Sequence, residues 1–559
     1  MTYLNFKKEQ LINLEYSLNK EILRTNRAGA YTSSTIIGCN TRKYHGLLIC
    51  PIQKFNGEKH VLLSTLDETI VENGSEFNLG IHRYQGGNYD PRGHKYIRNI
   101  EFRKIPKITY RVGNVVLTKE RLLVESKEQI LIKYTLEESA NPVKLRFKPF
   151  LAFRNIHHLG KANMFVQRKY KKARNGISAK LYDDYPRLFM QFNKKVEFIP
   201  VPDWYYNMEY LKELKRGYEY LEDLFVPGYF ELSIKKGESI VFAGGTEEAK
   251  TASIKRQFAK EENIRVERDS FLSSLDNAAG QFVMINKDKT DVIAGYPWYE
   301  SITRQTFVSL PGLCLSLNNP ESCRNVLDTY LNYLKNGFFP DHIHDKDPVY
   351  HSADSSLWFI WTVMKYYKKI KQPEIVWKEF GKSIKEILLA YKNSGLGYIG
   401  VTREGLVYAH KENIPLTWMN SSVNGRAVVQ REGLPVEVNA LWYNAICFAV
   451  ELAELSGDDK FTGEWKRMIK KVGDAFLKTF WKSGHDHLAD VVKDGRQDWS
   501  VRPNMVIAVA MDYSPLTKEQ KKLVLSVAKK KLLTKRGLRT LSPDHIRYKP
   551  VVEGNPDER

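Results

Sequence analysis

The chain has 559 residues, of which 42% are hydrophobic, 12% aromatic and 27% charged, a composition that is typical of folded globular proteins and argues against extensive disorder. One hydrophobic core rarely organises a chain of this length, so two or more domains are expected. The formal net charge of +21 suggests a nucleic-acid partner, but the basic residues are dispersed and accompany no recognised nucleic-acid motif, so we expect none.

No targeting or membrane segment is predicted. Residues 1–18 mix charged with apolar side chains and lack an apolar core of secretory length. The longest apolar candidate, residues 440–455, contains Asn444 and Glu451 and falls short of the ~20 residues that a membrane helix needs. The five cysteines are scattered and include no CxxC pair, which argues against disulfides and a thiolate zinc site. We therefore expect a cytoplasmic protein without a membrane partner.

The first half of the chain has the pattern of β-strands. From about residue 59 to residue 245, apolar and polar residues alternate in short runs that are separated by turn residues. The clearest runs are residues 129–136, 143–150, 229–234 and 239–243. Many short strands joined in this way favour an antiparallel β-sandwich-like domain, which we assign to residues 1–250.

Helical periodicity replaces this pattern after about residue 251. Asn319 is a predicted N-cap with Pro320 at the first helical position, and Gly337 is predicted to end that helix. Further helices are predicted at residues 356–369, 377–391, 438–455, 465–480 and 518–533. Successive helices with loops rich in Trp, Asn, Arg and acids favour an α/α toroid over residues 275–559, with a ligand pocket built from loops at one end. The predicted helices are too few for a closed ring.

Residues 294–313 have the composition of a sugar pocket. Arg304 offers a planar fork of hydrogen-bond donors, and flat rings that suit pyranose faces precede it. These rings are Tyr296, Trp298 and Tyr299. Gln305 follows Arg304 and, unlike a carboxylic acid, has no proton to offer a leaving oxygen. The alternative is a strand or loop that enters a buried helix, with the aromatic residues in the core.

Acidic residues also lie beside tryptophans in predicted loops. Hydrolysis of a glycosidic bond generally takes two carboxyl groups, and the candidates are Asp354 before Trp358, Glu437 before Trp442, and Asp498 before Trp499 in a segment that continues to Arg502. Each acid also fits a helix cap or an exposed surface position. Trp418 is a further candidate for stacking on a sugar, and the neutral amide Asn420 follows it closely.

Residues 341–347 combine two histidines with several carboxylates, which are residue types that can bind a metal. Their ligands are adjacent in a polar loop, and no helical i, i+4 pair would hold them. We therefore expect no metal in this loop.

Several of these segments together resemble the bacterial and archaeal type of glycogen debranching enzyme, the amylo-α-1,6-glucosidase family. The resemblance covers nearly the whole chain. Its motifs are LRTNRAGAYTSSTIIGCNTRKYHGLL (residues 23–48), IAGYPW (293–298), TFVSLPGL (306–313), LTWM (416–419), PVEVNALWYNA (435–445), DWSVRPN (498–504) and GLRTLSP (537–543). The family fold that this implies is a β-rich N-terminal domain followed by an (α/α)6 barrel.

The resemblance also implies a substrate and a set of contacts. The substrate would be the α-1,6-linked glucose of a branched α-glucan such as glycogen or a limit dextrin, cleaved by acid-assisted hydrolysis. The resemblance implies neither a metal nor an organic cofactor. Glu437 and Asp354 would be carboxylates of the pocket. The residues implied to hold the sugar are Trp298, Arg304, Trp358, Trp418 and Trp442, and we add Trp499 and Arg502. The sequence predicts no oligomeric state.

The chain departs from the family pattern in three places. The family usually carries Trp-Gly-Arg-Asp before Thr-Phe, with the Asp as general acid, whereas this chain has Gln305 there. An Asp is usual after Trp-Met, where Asn420 stands. The sequence also stops at Arg559, before the family's closing block, so the barrel is expected to lack its C-terminal end. Loss of a general acid typically lowers a rate by roughly 10²- to 10⁴-fold, which leaves a catalytically impaired glucan binder as the alternative function.

Overall fold

A computed structural model describes residues 3–286, 289–344 and 346–551. Asp345, within the run considered above as a metal site, and residues 552–559 at the end of the predicted helical domain lie outside the described residues. The chain forms two compact units. Within the described residues, the first comprises 3–286 and 295–298, and the second comprises 289–294, 299–344 and 346–551.

One sheet of the first unit has nine antiparallel strands within the described residues. In spatial order they are Leu4–Lys7, Ile97–Phe102, Pro106–Val112, Val115–Leu123, Gln129–Glu138, Ser239–Gly245, Leu188–Phe192, Gly176–Ala179 and Tyr170–Ala173. The strands predicted at 129–136 and 239–243 are confirmed, and the structure shows that they pair with each other, with Leu131 opposite Ala243.

The second sheet of this unit has twelve strands, again antiparallel wherever the register is described. Its main path is Glu21–Thr25, Tyr31–Thr35, Gly46–Ile52, Glu58–Glu72, Val143–Asn155, Leu221–Val226, Asp203–Glu209, Ile81–Tyr84 and Asn88–Arg92, with Ser75–Asn78, Tyr229–Ile234 and Glu197–Ile199 beside it. The strand predicted at 143–150 is confirmed and extends to Asn155. It starts with the alternation expected of a strand with one buried face, since Val143 and Leu145 are buried and Lys144 is exposed.

The two sheets share one hydrophobic core. Tyr134 of the nine-stranded sheet lies 4.9 Å from Phe147 of the other sheet, measured between ring centroids, and Phe147 lies 5.2 Å from Phe192. Aromatic rings at these separations contribute both buried area and favourable edge contacts. The antiparallel β-rich domain predicted from the alternating pattern is therefore confirmed. Its helices are Lys8–Leu11, Leu14–Leu18, Leu211–Leu214, Ile254–Asn263 and Phe271–Gly280.

The second unit is mainly helical. Its α-helices within the described residues are Thr303–Leu310, Pro320–Leu331, Ser355–Ile370, Pro373–Lys392, Val436–Leu455, Asp459–Phe480, Asn504–Ala510 and Lys518–Lys531, and a π-helical turn, Pro311–Leu315, follows the first. All six helices predicted from periodicity are confirmed in type and approximate position. No helix of the described chain is both long and apolar enough to cross a membrane.

One helix end differs from the prediction. Asn319 caps its helix as expected, accepting from Ser322 N at 3.0 Å, but the helix ends at Leu331 and not near Gly337. Gly337 lies beyond the helix with φ +77°, and a Cβ there would lie 2.3 Å from the Cβ of Ala390. The glycine is required by close packing against the Pro373–Lys392 helix, so its place in the sequence did not mark the helix end.

The second unit also contains short strands, which lie in the segments that connect or flank its helices. Within the described residues they are Lys289–Val292, Ile399–Val401, Val407–Ala409, Ser422–Val423, Arg426–Ala427, Leu434–Pro435, Val491–Lys493, Arg496–Asp498, Leu533–Thr534 and Gly537–Leu538. Leu434–Pro435 pairs with Val491–Lys493, which pairs in turn with Arg496–Asp498. This three-stranded ladder brings the start of the Val436–Leu455 helix close to the loop that precedes Asn504.

Candidate active site

A cavity of about 850 Å³ lies within the second unit. Its described lining comprises Ala294, Tyr299, Ile302, Arg304, Gln305, Asp341, His342, His351, Ser352, Ser355, Asn413, Ile414, Pro415, Asn420, Ser422 and Gly425. Arg304 and Gln305 were singled out from sequence, as was Asn420. Most of the lining residues carry polar side chains, which suits a ligand that offers many hydroxyl groups.

Arg304 is fixed in the cavity wall by Asp354. It lies in the first turn of the Thr303–Leu310 helix, and its Nε donates to Asp354 Oδ1 and Oδ2 at 2.8 and 3.0 Å. Its Nη2 also donates to the hydroxyl of Ser352. The guanidinium is therefore oriented before any ligand arrives.

Asp354 is itself fully engaged. Its side chain is 1% exposed, and Oδ2 also accepts from Trp358 Nε1 at 3.2 Å. The structure thus brings Arg304, Asp354 and Trp358 together, as the sequence analysis required of pocket residues. Only Arg304 of the three is part of the cavity lining, because the carboxylate and the indole are covered by the groups that they bind.

Gln305 and Asn420 present neutral amides to the cavity, and both side chains are exposed. An amide can donate to and accept from sugar hydroxyls, but it cannot protonate a leaving group. These two side chains can therefore hydrogen-bond to a ligand in the cavity, but they cannot serve as a general acid.

A second cluster is centred on Arg431. Its Nη1 and Nη2 donate to the two carboxylate oxygens of Glu437 at 2.5 and 2.6 Å, and its Nε donates to Asp490 Oδ2 at 2.7 Å. Burial alone lowers the pKa of Arg431, but the two carboxylates outweigh that effect and raise the pKa well above its usual value. Glu437 is wholly buried and is not part of the described cavity lining.

Asp490 connects this cluster to Trp418 and Arg502, two residues that the sequence analysis expected to hold the sugar. Asn504 Nδ2 donates to Asp490 Oδ1 at 2.7 Å, and Trp418 Nε1 donates to Asn504 Oδ1 at 2.7 Å. Arg502 Nε lies 3.7 Å from Asp490 Oδ2. Sequence reasoning did not single out Arg431 and Asp490, although a buried acid in an apolar helix such as Glu437 requires a partner of opposite charge.

The remaining predicted tryptophans lie elsewhere. Trp442 is fully buried, donates Nε1 to the Gly405 carbonyl at 3.0 Å and stacks on Tyr391, so it forms part of the helical core. Trp499 is half-buried and stacks on His485 at 3.8 Å between centroids. Neither is part of the described cavity lining.

Trp298 belongs to the first unit. Its ring lies 5.1 Å from the guanidinium of Arg42 and 6.5 Å from the ring of Tyr44, measured between centroids in the second case. Its Nε1 is buried and has no hydrogen-bond partner among the described residues. Arg42 and Tyr44 lie in the motif of residues 23–48 that carries part of the family resemblance.

Metal-binding chemistry is not evident in this region. Within residues 3–286, 289–344 and 346–551, no group of three or more His, Cys, Asp or Glu side chains is arranged to hold a metal ion. His351, which lines the cavity, has its Nε2 3.1 Å from Lys411 Nζ. Burial and this ammonium group lower the pKa of His351, so the imidazole is neutral at pH 7.

Comparison with known proteins links both halves of the chain to one kind of enzyme. A family model described as the N-terminal part of glycogen debranching enzyme matches residues 20–241, and one described as amylo-alpha-1,6-glucosidase matches residues 269–559. The glycogen debranching enzyme of Saccharomyces cerevisiae is 20% identical over 341 residues. The match covers 45% of this chain and 22% of the yeast protein, so the similarity spans about a fifth of that relative.

Among solved structures, a bacterial glucoamylase complexed with acarbose is similar in fold. The TM-score is 0.52 at 10% sequence identity, over 96% of this chain and 80% of the glucoamylase chain. A likeness at this level of identity concerns the fold alone.

Proposed function

The chain belongs to the glycogen debranching enzyme family of glycoside hydrolases, and from this premise we propose that it hydrolyses α-1,6-linked glucose at the branch points of glycogen or of a limit dextrin, in the cytoplasm. The observation that carries the proposal is the match of residues 269–559 to the amylo-alpha-1,6-glucosidase model. The polar cavity of about 850 Å³ is built from the same stretch of chain.

The architecture that we propose follows from the same premise. A β-rich N-terminal domain occupies residues 1–250, and the helices of residues 275–559 belong to an (α/α)6 toroid. The glucoamylase-like fold and the run of long helices from Ser355 to Lys531 support this assignment. In such a toroid, loops at one end form the pocket, and the described cavity is lined largely by loop residues.

Arg304 is the proposed anchor for the sugar. Asp354 and Ser352 occupy its Nε and Nη2, and Nη1 makes no hydrogen bond to a described residue. Nη1 can therefore donate to a hexose hydroxyl without losing an existing bond. We propose that Asp354 acts by positioning this guanidinium and that Glu437 acts in the same way on Arg431, since each carboxylate oxygen of both residues already accepts a hydrogen bond.

Aromatic contacts complete the proposed pocket. Trp418 and Trp499, both in the second unit, are only partly buried, so each retains ring surface on which a pyranose could stack. Trp358 and Trp442 are buried, and we assign to them the packing of the helices that carry the pocket loops.

Release of free glucose from a limit dextrin is the direct test. The purified chain should liberate glucose from the dextrin, with a boiled sample as the control for spontaneous hydrolysis. A linear α-1,4-linked malto-oligosaccharide provides the control for linkage and should release much less glucose. No glucose above the boiled control would reject the proposal.

A second candidate function is glucan binding without catalysis. It is favoured by one observation, the neutral amides of Gln305 and Asn420 in the cavity where the family usually has acids. It predicts retardation of the protein in a gel that contains glycogen, together with no glucose release. Free migration in that gel would count against it.

A further inference from the structure

Asp341 is the only carboxylic acid among the described residues that line the cavity. Asp354 and Glu437, the two acids that the sequence analysis favoured, are covered by their arginine partners. A ligand in the cavity would therefore meet one carboxyl group, and it belongs to a residue that the sequence analysis treated only as part of a candidate metal-binding loop.

Backbone hydrogen bonds fix Asp341 beside the helix that carries Gln305. Its carbonyl oxygen accepts from Thr303 N at 3.0 Å, and its own N–H donates to the Val349 carbonyl at 2.8 Å. Thr303 is the first residue of the Thr303–Leu310 helix, and its hydroxyl also donates to the Pro340 carbonyl at 2.5 Å. The backbone of Asp341 is therefore held at the start of the helix that carries Gln305, and both residues line the cavity.

The side chain of Asp341 has spare bonding capacity. Its Oδ1 accepts from His351 N at 3.2 Å, whereas Oδ2 accepts no hydrogen bond from a described residue. No arginine or lysine forms an ion pair with it in the described structure, in contrast to Asp354. A carboxyl group in this state can carry a proton on Oδ2 and release it to a ligand.

We propose that Asp341 donates the proton to the glycosidic oxygen, in place of the acid that the family usually has at position 305. This role rests on the proposed hydrolysis of α-1,6-linked glucose. The proton of Asp341 passes to the departing oxygen, which takes the electron pair of the broken C1–O bond. Water adds to C1 and releases one proton, and the carboxylate regains a proton from solvent.

The surroundings of Asp341 favour this role. Burial raises the pKa of Asp341 above its ordinary value, so the carboxyl group stays protonated to a higher pH than an exposed aspartate. The positive charge of Arg304 on the adjacent helix opposes this effect, as do His351 and His342. His351 is neutral at pH 7 beside Lys411, so its opposing contribution is small there.

The test compares Asp341→Asn with the wild type on two substrates. A dextrin branch point has a poor leaving group that needs a proton, whereas α-glucosyl fluoride releases fluoride with little need of one. The variant should lose roughly 10²- to 10⁴-fold in kcat/KM on the dextrin and far less on the fluoride. An equal loss on both substrates would overturn the assignment, since it would indicate a structural role.

The pH profile provides a second readout. On the dextrin, the alkaline limb of kcat/KM in the wild type should disappear in Asp341→Asn, and an unchanged limb would contradict the proposal. Asp347→Asn, an exposed acid of the same loop, is the matched control and should leave both rates unchanged. The wild-type protein distinguishes failure of the hydrolase function from failure of the proton-donor role of Asp341. If the wild type turns over neither substrate, the hydrolase function is rejected and the role of Asp341 with it.

Discussion

Arg304 Nε is directed at both carboxylate oxygens of Asp354, at 2.8 and 3.0 Å, although 50 residues separate the two in the chain. The side chains of this pair are 10% and 1% exposed. The contact links the first turn of the Thr303–Leu310 helix to the start of the Ser355–Ile370 helix. The orientation of the cavity's arginine therefore depends on the packing of two helices.

Replacing Asp354 by Asn is expected to destabilise the fold. The change leaves the buried guanidinium of Arg304 without its counter-charge, and removal of one partner from a buried pair typically lowers stability by roughly 3–5 kcal/mol. Urea unfolding measures the difference. The matched control is Asp474→Asn, which breaks the exposed pair with Lys470 and should leave stability almost unchanged. Similar effects of the two substitutions would contradict this account of the pair.

The hydrogen bond from Trp418 to Asn504 provides a second test of stability. Trp418→Phe keeps an aromatic ring but removes the Nε1 donor that lies 2.7 Å from Asn504 Oδ1. We expect a loss of about 1 kcal/mol in the free energy of unfolding. Trp361→Phe is the control, because the Nε1 of Trp361 is buried without a partner among the described residues. That substitution should be neutral or slightly stabilising, and a larger loss at 361 than at 418 would refute the argument.

Local patterns predicted most of the elements of this fold. Alternation in residues 129–136 predicted the strand Gln129–Glu138, and helical periodicity in residues 377–391 predicted the helix Pro373–Lys392. These patterns work because each element must turn one face to a core. The helix end predicted at Gly337 was wrong because a side chain at this position would collide with Ala390. The glycine is needed for that close packing, which the local sequence does not reveal.

The site was predicted less completely because its contacts are distant in sequence. Arg431 and Asp490 are 59 residues apart, and neither lies in a segment whose composition marked it as unusual. Asp341 lies in a polar loop where a carboxylate is unremarkable, and its relation to Gln305 arises only because Thr303 bonds to it. Arg304 was found from sequence because it follows a cluster of aromatic residues within one segment.

An acid at position 305 should substitute for Asp341. In the Asp341→Asn background, Gln305→Asp places a carboxyl group in the lining of the same cavity and should restore part of the lost glucose release from the dextrin. In the wild-type background the same substitution should have little effect, since a proton donor is already present. Initial rates of the four proteins form a double-mutant cycle. An equal gain in both backgrounds would show that Asp341 was not the donor.

His45 should make folding stability dependent on pH. The ring has no exposed surface, and its Nδ1 accepts from Thr41 N at 3.1 Å. Burial, with a contribution from Arg42, lowers the pKa of His45 to about 3, against ~6.5 in an unfolded chain. Below about pH 6.5 the unfolded chain binds a proton that the folded chain excludes, so stability that is present at pH 7 is lost as the pH falls toward 3.

The variant His45→Asn tests this linkage because its Oδ1 can replace Nδ1 as an acceptor. Urea unfolding between about pH 6.5 and pH 4.5 should show a slope smaller than in the wild type by up to about 1.4 kcal/mol per pH unit. His158→Asn, at an exposed histidine, should keep the wild-type slope. If His45→Asn also keeps it, the buried imidazole is not the source of the pH dependence.

Salt dependence separates glucan binding from association through net charge. A hexose is neutral, so the affinity for glycogen should change little between about 50 and about 200 mM salt, whereas binding through several phosphate contacts would fall by roughly 10³-fold or more.

Arg304→Met should weaken glycogen binding, because the cavity loses its fixed donor. Lys171→Gln with Lys172→Gln, in the basic strand Tyr170–Ala173, should leave glycogen binding intact and reduce any binding to a polynucleotide. Affinity electrophoresis at the two salt concentrations measures both, and glycogen retardation that depends on the two lysines but not on Arg304 would exclude the cavity as the glucan site.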